Sequence, residues 1–455
     1  MIFLRSSIVS RDHGALRKIG NDWYYMDNPM NRNGTYLNGK KIPRSKAGTE
    51  LIPVRLVDGD VLTIDNSMDV DSNPHAVLMI FHAVNTSEDW CSVDLRSKNS
   101  VVIGRSPDCD IIVPEPYISR RHALIERKDN KFYLSDCRSR AGIYMNQQRI
   151  TSEVLLREKD CFLLGDQKFI ISSGRLYFLN SVSLTDKLVD VRANDRPVAL
   201  KVDIDTKKVK NTQGAGQKEL IRDIHLTIKE GTLVAMLGTA GAGKTTLMNC
   251  LNGMELNGVK GSVYFRNVNL IDQFDQMKEL IGSVPQQKVF HRTFTPEQEF
   301  RFAAIKRLPG DTTEEEIRKR VDDTLSMLSM QGVRKNRNGK LSGGEQTRVN
   351  IGIELVADRD LLCLDEPDQG LSPNYKHELF EILKRLAREN GKCVLCIIHD
   401  VSEIDMFDQL IILAKKDGVG RLAFSGSPAE ARQHFNSNIG GIYTLLEKHP
   451  EQYIK

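Results

Sequence analysis

The run Gly238-Thr239-Ala240-Gly241-Ala242-Gly243-Lys244-Thr245-Thr246 has the spacing GxxxxGK[ST]. It follows an apolar stretch, Thr232 to Leu237, and opens a stretch of helical character, Thr246 to Leu251. Glycines at these positions let backbone N–H groups turn inward around phosphate oxygens. Lys244 then supplies a point charge to the β- and γ-phosphates and Thr245 a hydroxyl to Mg²⁺, and the following helix adds its dipole. Downstream, Leu361-Leu362-Cys363-Leu364-Asp365-Glu366 is an apolar strand ending in two carboxylates. Asp365 suits a metal held through water, and Glu366 suits polarisation of an attacking water. His399 ends another apolar run, Val394 to His399, and is expected to meet the γ-phosphate.

Two further motifs complete the set. Leu341-Ser342-Gly343-Gly344-Glu345-Gln346 precedes a helical stretch, and Gln286 follows Val284-Pro285. In this order, over about residues 200–440, the motifs closely resemble an ABC-type ATPase. The sequences GAGKTT, VPQQ and FSGSP resemble most the white, or eye-pigment, subfamily of ABC transporters. The resemblance implies ATP and Mg²⁺ as ligands. ATP lies on Gly238 to Thr246, and Mg²⁺ on Thr245, Gln286 and Asp365. Lys244, Gln286, Glu366 and His399 form the catalytic set. It also implies a composite site, in which Ser342, Gly343, Gly344 and Glu345 meet ATP held by a second subunit, with ATP-dependent homodimerisation. Two features depart from the family. Ser372 stands where an aspartate usually follows, in Asp368-Gln369-Gly370-Leu371-Ser372. Val202 to Leu220 also lacks the aromatic that usually stacks on adenine.

The first 180 residues or so carry different chemistry. Val9-Ser10-Arg11-Asp12-His13 matches Ile118-Ser119-Arg120-Arg121-His122, and Arg32 to Gly39 matches Arg140 to Gln147. Leu56 to Asp60 then echoes Leu156 to Asp160. The second copy, with Gly104-Arg105, Ser119 to His122 and a turn at Asn146, resembles a forkhead-associated (FHA) domain over about residues 88–180. That fold is a β-sandwich whose loops bind phosphothreonine peptides. Arg105, Ser119, Arg120 and Arg140 are the candidate phosphopeptide residues, Arg105 as a bidentate fork. The resemblance makes His122 a brace between loops. It also exposes a gap, because the asparagine that holds the ligand backbone is Ala141 here, and the family's threonine is Ile143. The first copy keeps Ser10, His13, Asn33, Gly34 and Thr35, but the Gly-Arg pair would fall before Met1. It should therefore lack its opening strands and phosphate arginine. Arg5 substitutes only if the chain folds back, and a start upstream of Met1 would explain the gap equally.

These residues need two kinds of scaffold. Short β-rich runs broken by Asn33-Gly34, Asn38-Gly39 and Asp58-Gly59 predict an all-β first part. From about residue 199, short apolar strands alternate with helical stretches such as Glu314 to Leu328 and Lys376 to Arg388, predicting an α/β domain with parallel strands. The expected plan is multidomain. Residues 1–85 form a partial FHA-like sandwich and 88–180 a second one. Residues 181–198 link them to an ABC ATPase domain with a helical subdomain, 199–455. Asn211 to Gly216 reads as a loop.

Length and composition fit this plan. The 455 residues allow several domains, and 64 basic against 60 acidic residues give +4, too balanced to argue for nucleic acid. The longest apolar run, Ala76 to Val84, is far short of a membrane span, and no secretory signal is visible. Eight scattered cysteines read as reduced thiols, with Cys393 and Cys396 on opposite faces of one buried strand. The expectation is a cytoplasmic ATPase subunit of an ABC transporter, peripheral at the inner face of the plasma membrane. It is regulated or docked through FHA modules. Its transmembrane permease is a separate chain or a segment absent here, since relatives with FHA modules often carry that half after the ATPase. The docking surface is expected from Gln286 to about Leu308, with Phe290, Phe294 and Phe300 around a helix capped by Thr295 and Pro296. The alternatives are a soluble, non-transport ABC ATPase on an FHA phosphopeptide scaffold, or such a scaffold with a residual ATPase.

Overall fold

The computed structural model describes residues 4, 6–19, 22–43, 51–57, 59–65, 75–81, 90–145, 148–179, 196–210, 216–266 and 268–454. Arg5, Asp58, Asn146, Gln147, residues 82–84, most of the 181–198 linker and residues 211–215 of the expected loop lie outside that set. The chain divides into two compact units, Met1–Ser181 and Val182–Lys455.

The first unit is built of strands. The second repeat is a sandwich of a five-stranded sheet, running from Ile111–Ile112 to Val154–Leu156, and a six-stranded sheet, running from Gln148–Arg149 to Trp90–Asp94. Alternate residues point inward, so Val101 and Ile103, Ala123 and Ile125, and Phe132 and Leu134 are buried. The first repeat has a three-stranded sheet (Gly14–Ile19, Asp22–Asp27, Pro53–Leu56) and a four-stranded one (Lys40–Lys41, Tyr36–Leu37, Asp60–Ile64, Val77–Phe81). In the second repeat, Ala123–Lys128 pairs with Ser100–Gly104. Among the described residues no strand takes that place beside Gly14–Ile19, which is an edge with all six residues exposed. Asn38 and Gly39 have φ of 48° and 82°, the geometry of a tight hairpin turn between Tyr36–Leu37 and Lys40–Lys41.

The two repeats share an interface. Val61 of the first packs with Cys161 and Ile170 of the second, flanked by Leu78, Ile80 and Trp90. Lys168 Nζ donates to Asn38 Oδ1 at 2.9 Å and to the Gly59 carbonyl at 3.0 Å. Lys159 is buried, lies 4.9 Å from the centroid of the Tyr36 ring and donates to the Asp65 carbonyl.

The second unit centres on a ten-stranded sheet. Its core runs Ile281–Val284, Leu361–Asp365, Cys393–Ile397, Leu233–Gly238, Gln409–Lys416, of which each neighbouring pair is parallel. The expected parallel strands form this core, and antiparallel strands at one side make the sheet as a whole mixed. The 13-residue strands Val198–Lys210 and Gln217–Lys229 pair antiparallel and alternate buried with exposed residues along part of their length, as half-solvated strands do. The core strands are buried almost throughout because helices cover them. Helices run over Lys244–Leu251, Glu314–Met327 and Pro373–Asn390, the first and last starting earlier than the sequence pattern suggested. Pro296–Arg307 opens on a capping box, Thr295 accepting from Gln298 N while the Gln298 side chain reaches back. Cys393 and Cys396 lie in a fully buried strand, and burial pushes both thiols well up. All eight cysteines are free thiols.

Candidate functional site

In a parallel sheet the carboxyl ends of neighbouring strands share one edge, where ligands bind. Here four such ends carry the predicted chemistry. Leu233–Gly238 runs into the glycine-rich loop, Leu361–Asp365 ends at Asp365, with Glu366 next, and Ile281–Val284 leads to Gln286. Cys393–Ile397 stops two residues before His399, so the histidine stands on the turn beyond the strand.

The loop geometry depends on glycine. Gly238 has φ of 153°, and a Cβ there would stand 2.3 Å from the Leu413 carbonyl. Gly243, at φ 88°, is the N-cap of Lys244–Leu251. Lys244 Nζ turns back into the loop and donates to the Gly238 carbonyl at 2.9 Å and the Thr239 carbonyl at 3.3 Å. Burial pulls the Lys244 ammonium below its usual range, while Glu366 and Asp365 pull it back up. Burial, and then the Glu366 charge, raise the Asp365 carboxyl. Thr245 is exposed on the first turn of the helix. A second ammonium, Lys415, lies 3.8 Å from where a Cβ on Gly241 would be.

Glu366 is the hub of the site. It holds φ at 48°. His399 Nε2 lies 2.7 Å from Oε1. Gln286 Nε2 and Gln369 Nε2 donate to Oε2 at 2.9 and 3.0 Å. The structure therefore brings together Gln286, Glu366 and His399, with Lys244 and Asp365 close enough to shift each other's titration. The sequence reading passed over Gln369, quoting it only on the way to Ser372.

The Ser342 motif stands apart from this hub. Ser342 caps the helix Gly343–Leu355 with a capping box to Glu345, so the N–H groups of Ser342 and Glu345 are already bonded at the helix start. Lys288 Nζ donates to the Gly343 carbonyl at 3.0 Å, tying this helix start to the Gln286 segment. Lys288 was also missed, its only signal being a cation two residues past Gln286. Ser372 caps Pro373–Asn390 without a side-chain bond.

In the second repeat, the His122 ring joins two loops. Ser119 N donates to its Nδ1 at 3.2 Å, which leaves Nε2 as the donor to the Gly142 carbonyl, 3.1 Å away. Arg105 N donates to the Ser119 carbonyl, Ser106 N to the Arg120 carbonyl, and Arg140 N to Ser119 Oγ. Arg105, Arg120 and Arg140 are thus drawn to one end of the sandwich. Ser119 is buried at 3% exposure, and its hydroxyl already accepts from that loop. The first repeat repeats the brace, Ser10 N donating to His13 Nδ1 at 3.0 Å and Arg32 N to Ser10 Oγ at 3.4 Å. Its Asn33 amide donates to the chain's own Ile8 carbonyl at 2.7 Å.

Phe300 is fully buried in the core of the second unit, not on a docking surface. In the expected docking segment, Gln286 to about Leu308, the exposed large apolar residues are Val289, Phe302 and Ile305, with Phe302 against the stacked pair His291 and Phe294.

Residues 221–369 match the ABC transporter family, and residues 1–65 and 101–165 match the FHA domain. The chain therefore carries FHA domains followed by an ABC transporter ATPase domain. It is 32% identical over 353 residues to the ABC transporter ATP-binding/permease protein Rv1747 of Mycobacterium tuberculosis, covering 77% of this chain and 38% of that one. It is 32% identical to Protein white of Drosophila melanogaster, over 49% of this chain and 33% of that one. It also resembles the solved ATP-binding cassette MJ0796 bound to ADP and Pi, at 27% identity, 50% of this chain, 98% of that one and TM-score 0.43. The chain thus spans little more than a third of these two curated relatives. Among the described residues no helix is long and apolar enough to cross a membrane.

Proposed function

We propose that this chain is the ATP-hydrolysing part of an ABC transporter, docked or regulated through FHA modules that read a threonine-phosphorylated segment. One observation carries the reading. Lys244, Asp365, Glu366, Gln286 and His399, spread over 156 residues (399 − 244 + 1), converge at the ends of four adjacent parallel strands.

The residues fit a nucleotide with a divalent cation. Gly238 and Gly243 have positive φ and pack so closely on Leu413 and Ile221 that only glycine lets the loop take this bend, and Lys244 already seeks oxygen acceptors inside the loop. Asp365, Thr245 and Gln286 would hold Mg²⁺, which usually takes one or two carboxylates and shares the rest of its sites with phosphates and water. A half-buried carboxyl raised by burial and then by a like charge, as Asp365 is, gains from such a cation. Bound Mg²⁺ would neutralise charge developing on the phosphates. The chain's own part is positioning. Lys244 would draw the phosphates into the loop, Glu366 would take the proton of the attacking water, and His399 would hold Glu366 and then meet the γ-phosphate. The helix start at Gly343 and Gly344, of which Gly343 is exposed, would receive the phosphate of a second subunit, giving an ATP-dependent dimer.

Val289, Phe302 and Ile305 would cover a membrane partner beside Gln286, placing the chain at the cytoplasmic face of a membrane. Arg105 and Arg140 would bind the phosphate in the second repeat.

The test is Mg²⁺-dependent ATP hydrolysis by the full chain. Glu366→Gln keeps shape and removes the base, so it should lower kcat at least ~100-fold and trap a dimer in ATP on sizing. Parent-rate hydrolysis by that variant would overturn the assignment of Glu366.

A further inference from the structure

We propose that Gln369 is a positioning residue for the Glu366 carboxylate, through a closed ring of side-chain hydrogen bonds with Gln286. The inference rests on the reading of Glu366 as the group that takes the proton from water. Gln286 Nε2 donates to both Glu366 Oε2, at 2.9 Å, and Gln369 Oε1, at 3.2 Å. Gln369 Nε2 closes the ring on Glu366 Oε2 at 3.0 Å. The carbonyl of Gln369 faces a donor and its NH₂ faces an acceptor, so both ends of the amide are used and its orientation is fixed by its partners.

The acceptor count shows what this does. An ionised carboxylate offers about four lone-pair sites. Oε2 serves two donors and Oε1 serves His399, which leaves one site on Oε1 for a water. If Gln286 turns to a metal, a site on Oε2 opens, and Gln369 becomes the donor that keeps the carboxylate from rotating. Gln369 is suited to stay behind. It lies three residues from Glu366 in the same turn, and its own N–H donates to the Glu366 carbonyl at 3.2 Å. Gln286 reaches in from a strand end 80 residues away in sequence. Gln369 is exposed, so no packing demand accounts for its orientation.

The experiment measures ATP hydrolysis by the full chain, comparing wild type with Gln369→Met, which keeps length and removes the donor, and Gln369→Glu, which adds repulsion. Gln369→Met should lower kcat roughly tenfold, as loss of an outer-shell partner does, with KM for ATP and the melting temperature unchanged. Gln369→Glu should fall further. In a Gln286→Ala background the effect of Gln369→Met should differ from its effect in wild type, because the two amides share one oxygen. Wild-type hydrolysis with an unaffected Gln369→Met would overturn this proposal alone, as would a loss seen only in KM or in melting. Absence of hydrolysis by wild type would overturn it together with the functional reading beneath it.

Discussion

His399 and Glu366 meet at 2.7 Å, Nε2 to Oε1, although the histidine side chain is 57% exposed and the carboxylate 19%. An exposed imidazole held this closely is oriented by the carboxylate and in turn orients it. The pair behaves as one unit whose histidine end faces solvent.

That relationship makes His399 testable apart from the base. We expect His399→Ala to lower kcat for ATP about 100-fold, the usual cost of removing one donor aimed at developing charge, while ATP affinity changes little. Single-turnover hydrolysis beside an ATP-binding titration separates the two quantities. A loss confined to binding would place His399 outside the chemistry.

The phosphopeptide reading predicts a split between phosphate recognition and sequence preference. Arg105→Ala in the full chain should abolish the difference in affinity between a phosphothreonine peptide and its unphosphorylated twin. Ala141→Asn should tighten binding and sharpen sequence preference, since it restores an amide for the ligand backbone. Fluorescence titration with paired peptides reads both. The first repeat should add little, because its Asn33 amide is engaged by the chain's own Ile8 carbonyl.

Much of this was legible in the sequence, and the reason is locality. The glycine-rich loop, the Asp365-Glu366 pair and the Thr295 cap are each set by a few consecutive residues whose backbone geometry dictates residue type. The Ser10 to His13 and Ser119 to His122 segments stood out because they repeat, and the family resemblance gave the brace to His122. What stayed hidden depends on approach between distant segments. The Gln286 amide meets Gln369 across 83 residues, and Lys288 meets Gly343 across 55. Phe300 was misplaced on a surface because the helix that carries it has little amphipathic contrast, so its buried face cannot be read from spacing.

Glu158 gives the first unit a pH dependence. Burial raises its carboxyl to about 7, against the pull of backbone N–H bonds from Gly174 and Ser173. The unfolded carboxyl titrates near ~4.3, so between that value and 7 the folded state holds more protons. Stability should therefore fall as pH rises through that window, by at most on the order of 4 kcal/mol. Glu158→Gln mimics the protonated group and should flatten the trend. Melting of the full chain between pH 5 and 8, within about the range where native proteins are most stable, provides the check. A wild-type profile in the variant would assign the dependence elsewhere.

Gly352 tests the packing beneath the Ser342 motif. It lies within the helix Gly343–Leu355, and a Cβ there would come within 2.2 Å of the Phe300 ring. Gly352→Ala gains helix propensity but overpacks the core, and we expect a net loss of about 1–3 kcal/mol in denaturant unfolding. Equal or greater stability would mean that Phe300 has room to swing away.

The interface between the two repeats bears on how this protein can be cut. Lys159 and Lys168 belong to the second repeat, yet the carbonyls, amide and aromatic ring they engage belong to the first. Excising the second repeat would strand a buried ammonium and bare Cys161 and Ile170 to water, and excising the first would bare Val61. Each repeat completes part of its packing on the other. Gene fusions, truncations and crystallisation fragments should treat the tandem as one indivisible block.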